Sequence, residues 1–417
     1  MRTTLVTTAM MIAFGWTVAR AAEEAGASIS LDGPWAFAFT PEHQGVLPPP
    51  KASWATMPVP GCWDDRFDQA AARKLWPNAR FNPAYRPIVF PMGGKPPDAS
   101  LPFLVGTGWY RRQLEIPADW KGRQVTLLVG RVVMEAWVYL NGRQVHHHLG
   151  HSTGWQVPLS TNLEWGKPNE LVIAVDNTRT DRLGCDLRGW QGRSAGVFGH
   201  VALRTSGEAQ IADLFVWPEE DRLDWQATVL GILPPGAELR WRIVDPQTHR
   251  AIANGSQPAE SPQTQWQTTA QGVGFWSDRD PKLYDIELEL RSGERLVDSL
   301  RQAFGRRRLT AHGMQLRLNG LPVFLRGICD CAYFPATCTP PTDAGWYRGH
   351  LERMKQVGFN WLRCHTWVPP EPCLQAADEV GMLIQVEAPT GYSLHQWRQI
   401  LVACRRHPSV VISDLLT

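Results

Sequence analysis

Beyond residue 18 the chain has no apolar run long enough to cross a bilayer, so no transmembrane helix is expected. It also has no block of like charge. Its 42 basic and 40 acidic residues are spread along 417 positions, for a net charge of +2, and without a basic stripe nucleic acid is not an expected partner. No C-x₂-C pair occurs among the eight cysteines, and the spacing Cys329-x-Cys331 with Cys338 does not match a zinc ribbon. Six cysteines fall between Cys329 and Cys404, and in a chain this long they read mostly as buried thiols. What is plentiful is tryptophan, with 20 residues. Its flat ring fills β-domain cores and also stacks on the C–H faces of sugars, so the excess alone does not choose between the two.

The first residues have the pattern of a leader. Arg2 supplies a positive start, Leu5 to Val18 is apolar, and Ala19-Arg20-Ala21 is an A-x-A site. The expectation is a signal peptide over residues 1–21, with no cysteine nearby for a lipid anchor. The mature chain is expected to be exported and soluble, periplasmic or extracellular, with no membrane contact after cleavage.

Three segments follow. Over 22–205 the pattern is all β: RQVTLLVG alternates Val125, Leu127 and Val129, and NELVIAVDN alternates Leu171, Ile173 and Val175. VMEAWVYLNGRQV reads as a hairpin turning at Asn141-Gly142. Many short strands separated by Pro- and Gly-rich loops predict a two-sheet sandwich of jelly-roll type. Over 206–309 a smaller β-unit follows. Tyr284, Ile286, Leu288 and Leu290 face in, Asp285, Glu287 and Glu289 face out, and Ser292-Gly293 turns, which fits an immunoglobulin-like β-sandwich.

From 310 the period changes. A hairpin at Asn319-Gly320 runs into VFLRGI, and then helical and strand patterns alternate. The first helix carries Trp346 or Tyr347, Leu351, Met354 and Val357, with Asp343 to cap it and Gly358 to end it. The second has a proline in its first turn and Gly381 beyond its end; the third has Ser393 as N-cap and Pro408 as its stop. Strands FNWLRCH, MLIQVEAP and SVVISDLL lie between and after them. This β-α-β-α-β-α-β order predicts a parallel sheet with helical crossovers, either part of a doubly wound sheet or the first half (β1–β4) of a TIM (β/α)₈ barrel. No G-x-G-x-x-G follows the first strand, which argues against nucleotide binding. Asp330, Arg363, His365 and Glu387 cluster at strand C-terminal ends, where a barrel carries its site.

These residues resemble glycoside hydrolase family two, which includes β-galactosidases, β-glucuronidases and β-mannosidases. GTGWYRRQLEIP is similar to its GWYRR…IP strand, and AWVYLNGRQVHHHLGH to its VWLNG…G-x-H-x-G segment. GVFGHVALR resembles the end of its first domain, and LRLNGLPVFLRGI its entry to the barrel. Residues 354–389 resemble the stretch from the first barrel helix through the third strand, and RCHTWVPPE is closest to a branch reading RFHSWCPPE. That branch has His-Asp after the first strand where this chain has Cys329-Asp330, so one sugar-contacting ring is replaced by a thiol.

The resemblance implies retaining hydrolysis of a β-linked oligosaccharide or glycoside, which needs two carboxyl groups about 5–5.5 Å apart. The family's acid/base glutamate follows a segment like HPSVVMWSLGNE. His407-Pro408-Ser409-Val410 fits that segment, and Thr417 falls where its Asn stands. The nucleophile belongs to the seventh strand. No catalytic residue is therefore named, and the expectation is a sequence interrupted within the barrel and inactive by itself. Substrate-binding candidates are Arg363, bracing the nucleophile or forming a salt bridge; His365, holding a sugar hydroxyl or structural; Asp330, accepting from a hydroxyl or capping its turn; and Trp367, a stacking platform or a wall. Glu387 is a site-lining carboxylate, because Glu387-Ala388-Pro389 lacks the His that would complete a metal pair, and neither metal nor cofactor is expected. Within the run His146-His147-His148, followed by His151, strand neighbours point to opposite faces and cannot converge on a metal. Alternatives are a non-catalytic exported carbohydrate-binding protein and a pseudo-enzyme completed by a partner chain. A β-galactoside is the branch's default substrate, with β-glucuronide and β-mannoside open; disulfide pairing and oligomeric state have no sequence signature.

Overall fold

The computed structural model describes residues 26–42, 53–81, 104–178, 195–332, 340–365, 367–388 and 392–415. The expected signal peptide over residues 1–21 lies outside these residues. Within them the chain forms two β-sandwiches followed by a parallel β/α unit.

The first sandwich faces a six-stranded sheet against a four-stranded one. Val125, Leu127 and Val129 from one sheet and Leu171, Ile173 and Val175 from the other share one core, joined by Trp35, Trp63 and Phe37. The reverse face of Asn169–Asp176 is buried as well: Val172 and Ala174 pack with Trp109 and Tyr139. Asn141 (φ 49°) and Gly142 (φ 79°) take the left-handed turn that the hairpin Glu135–Leu140 and Arg143–Leu149 requires. The histidines split across that strand as its pleat dictates. His146 and His148 stack on Trp155, while His147 stacks on Trp137 and meets Glu135 at 2.7 Å.

The second sandwich, with sheets of three and four strands, begins at Ala209–Pro218 and ends at Arg295–Phe304. Ile286, Leu288 and Leu290 are fully buried, whereas Asp285 and Glu287 reach Arg301 and Arg242 on neighbouring strands. The two sandwiches meet through a buried ion pair. Arg204 Nη2 donates to Asp298 Oδ1 at 2.7 Å, and Ile211 N donates to Asp298 Oδ2 at 2.7 Å.

In the third segment, strands β1 (Gly327–Asp330), β2 (Trp361–Cys364), β3 (Leu383–Ala388) and β4 (Val410–Leu415) are parallel and lie in sequential order. Helices α1 (Ala344–Gln356), α2 (Glu371–Val380) and α3 (Leu394–Arg405) connect them. Each helix starts and stops where its side chains demand. Asp343 accepts from Gly345 N and Trp346 N; Gly381 (φ 78°) closes α2 in the left-handed region; Ser393 and Gln396 form a reciprocal capping box on α3. On α1 the buried stripe is Tyr347, Leu351 and Met354. Trp346 and Val357 are exposed, because the helix ends at Gln356 and Val357 is already its cap.

The first parallel strand is short. The hairpin runs into VFLRGI, and parallel pairing begins within it, at Gly327. Asn360 takes over the preceding backbone groups: its Oδ1 accepts from Arg326 N at 2.8 Å and its Nδ2 donates to Phe324 O at 3.2 Å. A side chain thus supplies the bonds that a ladder would otherwise make.

The helix-facing side of the sheet is apolar. Leu362, Cys364, Ile384 and Val386 pack under Leu351, Leu374 and Ile400, each at most 2% exposed. Full burial of each of these aliphatic side chains stabilises the unit by about 1.5–3 kcal/mol. Cys364, Cys373 and Cys404 are buried thiols, as the cysteine reading anticipated for most of them. The base of the unit is tied to the second sandwich through Trp276 Nε1 donating to Asp378 O at 2.7 Å and Arg307 Nε donating to Pro408 O at 2.8 Å.

Candidate functional site

The parallel register decides which polar residues share a face. Arg363 pairs with Gln385, and the period of two puts His365 beside Arg363 and Glu387 beside Gln385. All four therefore lie opposite the helices, at the C-terminal ends of β2 and β3. Glu387 is fully buried and both of its oxygens are engaged. Its Oε1 accepts from Arg363 Nε and, at 3.2 Å, from Gln385 Nε2; its Oε2 meets His365 Nδ1 at 2.7 Å. Burial alone would make this carboxylate costly, and three partners offset that cost. Arg363 keeps 38% of its side chain exposed and His365 keeps 21%, so both reach from a dry anchor toward the open end of the sheet.

Asp330 is not part of this group. Its register partner is Cys364, whose side chain belongs to the helix-facing core, and the Asp330 carboxylate bears on Tyr347 and His350 of α1. Its Oδ1 accepts from Ala332 N at 2.8 Å, capping the following turn. Burial raises its carboxyl above the ordinary value, partly offset by that bond. The structure thus favours the turn-capping alternative for Asp330.

For Trp367 the structure favours the wall over the stacking platform. A stacking platform needs an exposed face, but Trp367 is 2% exposed, lies in the core of the parallel unit and donates Nε1 to Asp330 O at 3.0 Å. It is a wall that fixes the end of β1 against the segment after β2. Gln385 was not anticipated. Its signal in the sequence was its place two residues before Glu387 on the same strand face. Among the described residues no three His, Cys, Asp or Glu side chains gather as metal ligands would.

The described residues thus form two β-sandwiches leading into a parallel β/α unit, with a buried Arg–Glu–His group at its strand ends. Residues 29–206 match the family model described as "Glycosyl hydrolases family 2, sugar binding domain". The chain is 28% identical over 407 residues to a β-galactosidase of Aeromonas hydrophila, covering 90% of this chain and 38% of that protein. It is 23% identical over 342 residues to a putative β-glucuronidase of Formosa agariphila, covering 74% of this chain and 31% of that one. Two solved structures share its fold. A Bacteroides uniformis β-glucuronidase superposes with a TM-score of 0.72 at 21% identity, covering 94% of this chain and 47% of that one. A Bifidobacterium dentium β-glucuronidase complexed with coumarin-3-O-glucuronide gives a TM-score of 0.73 at 20% identity, covering 94% and 68%. Residues 29–206 thus match the sugar-binding domain of glycoside hydrolase family two, and the relatives and shared fold together support a family-two protein. The chain spans well under half the length of the curated relatives it matches.

Proposed function

We propose that this chain carries the substrate-binding front of a retaining β-glycosidase, with residues 310–417 as the first half, strands β1–β4 and three connecting helices, of a (β/α)₈ barrel. The supporting observation is the sequential, unreversed order of the four parallel strands, with Arg363, His365 and Glu387 gathered at their C-terminal ends. A doubly wound sheet would place a reversal of strand order at its binding crevice. In this reading residues 22–205 are the jelly-roll domain and 206–309 the immunoglobulin-like domain. Export follows removal of residues 1–21.

Within this reading Glu387 is a holding group. Both of its oxygens are occupied, so it fixes Arg363 and His365, whose exposed ends contact sugar hydroxyls or the reacting carboxylate. A retaining reaction needs a separate acid/base and nucleophile. The 417-residue chain by itself is therefore expected to give negligible turnover. The substrate class is a β-linked glycoside, with galactoside and glucuronide both represented among the relatives.

The test is to purify the 417-residue chain and assay it on nitrophenyl β-galactoside and β-glucuronide, and to measure weak binding of the same sugars by NMR line broadening. Binding without turnover, reduced at least tenfold by R363A, is expected. Turnover by the wild-type chain would overturn the division of labour proposed here. The match of residues 29–206 to a sugar-binding domain favours a second reading, a binding protein. Glycan-array binding that survives R363A and H365A would support it instead.

A further inference from the structure

We propose that Arg131 anchors a binding site for a small monovalent anion where the first sandwich meets the parallel unit. Arg131 follows the strand Gln124–Val129 and is 7% exposed. Its Nε donates to the His151 carbonyl and its Nη2 donates to the Val368 carbonyl at 3.2 Å, so its guanidinium bridges the two units. Among the described residues no carboxylate pairs with it, and the groups that bear on its charge are the hydroxyls of Tyr392 and Tyr347. A guanidinium keeps its proton at any physiological pH, so burial does not neutralise it. An uncompensated buried cation is strongly disfavoured, and carbonyl dipoles supply no net counter-charge.

Three polar atoms in this neighbourhood are buried without a hydrogen-bond partner: Arg131 Nη1, His151 Nδ1 and Tyr347 Oη. His151 is 5% exposed and Tyr347 is 3% exposed. His151 lies against Tyr392, with ring centroids 6.3 Å apart, and its own charge interacts with that of Arg131. Each of the three can act as a donor, His151 as its Nδ1–H tautomer. A fixed guanidinium with a free Nη1 and two further unpaired donors nearby suits a halide or one end of a carboxylate. The Arg131 charge repels a cation. Burial and the neighbouring Arg131 both disfavour a protonated His151, so the site carries a single positive charge and takes a single negative one.

Two sources share this chemistry: a free halide, and the carboxylate of an acidic sugar arriving at the nearby strand ends, since Val368 directly follows Trp367 beyond β2. The inference does not depend on the glycosidase reading. The test measures thermal unfolding of the full chain at fixed ionic strength in sodium chloride or sodium glucuronate, with sodium fluoride, whose tight hydration opposes entry into a dry site, as the weakly bound reference. Wild type is expected to show a saturable rise of about 2–4 °C with chloride, and R131Q none. A rise with glucuronate as well would identify a site open to carboxylates; a rise with chloride alone, a closed halide site. Equal anion dependence in wild type and R131Q, or none in wild type, would overturn the proposal in favour of water at the three donors. Should R131Q fail to fold, bromide-soaked crystals of the wild type decide: an anomalous peak within hydrogen-bond reach of Arg131 Nη1 is required, and its absence refutes the site.

Discussion

His407 is the perturbation from which most can be calculated. It begins the turn between α3 and β4 and is almost fully buried, with its Nδ1 2.6 Å from Asp378 Oδ2 and its Nε2 3.3 Å from Glu371 Oε2. Asp378 Oδ1 also accepts from Ser409 N at 2.9 Å, so one carboxylate of α2 positions both the histidine and the start of β4. Burial opposes a charge on this ring, but Asp378 and Glu371 outweigh it, and His407 is raised from its ordinary 6.5 to about 9. At 1.36 kcal/mol per pH unit, that rise corresponds to about 3 kcal/mol of stability. Because the folded value lies above the unfolded one, the contribution is complete below pH 6.5 and is lost as pH rises through about 9. H407N should therefore cost about 3 kcal/mol at pH 6. The gap between variant and wild type should narrow steadily from pH 6.5 to 9.5. Urea unfolding of both proteins across that range, followed by tryptophan emission and by hydrogen exchange in peptides spanning residues 400–415, measures it. A gap that stays constant with pH would refute the ion-pair account and leave only packing.

Other consequences follow from the same structure. R363A removes the guanidinium partner of the fully buried Glu387 carboxylate, leaving it His365 and Gln385, and should lower urea stability of the parallel unit by about 1–3 kcal/mol, whereas E387Q, which leaves a partly exposed arginine, should cost distinctly less; comparing their midpoints checks the order. Gly327→Ala should abolish native pairing of β1, because an added Cβ would lie 2.0 Å from the Trp361 carbonyl oxygen, and loss of exchange protection at residues 327–330 reads it out. Cys329 is exposed and should react with a thiol reagent in the native state, while Cys364, Cys373 and Cys404 should react only on unfolding; burial pushes the Cys404 thiol up to about 12.

Much of this architecture was legible because it rests on local rules. Asn141-Gly142 and Asn319-Gly320 both adopt left-handed turns, and Asp343, Gly381 and Ser393 each cap the helix their position implied. Alternation placed Ile286, Leu288 and Leu290 inward and separated the histidine run across two faces. What the sequence left open was decided by distant partners. VFLR is apolar enough for a strand, but Asn360 claims its backbone bonds. Trp367 carries the ring of a sugar platform, but the surrounding core closes over it.

By itself the sequence determined the order of β and α segments, their caps and turns, and the candidate polar residues at the strand ends, since each depends on neighbours a few positions away. Only the tertiary structure decided which of those residues meet. The parallel register put Arg363, His365, Gln385 and Glu387 on one face and turned Asp330 toward α1, because a one-residue difference in phase reverses a side chain's face. It also brought Arg131 against Val368, 237 positions away, a juxtaposition that no local pattern encodes.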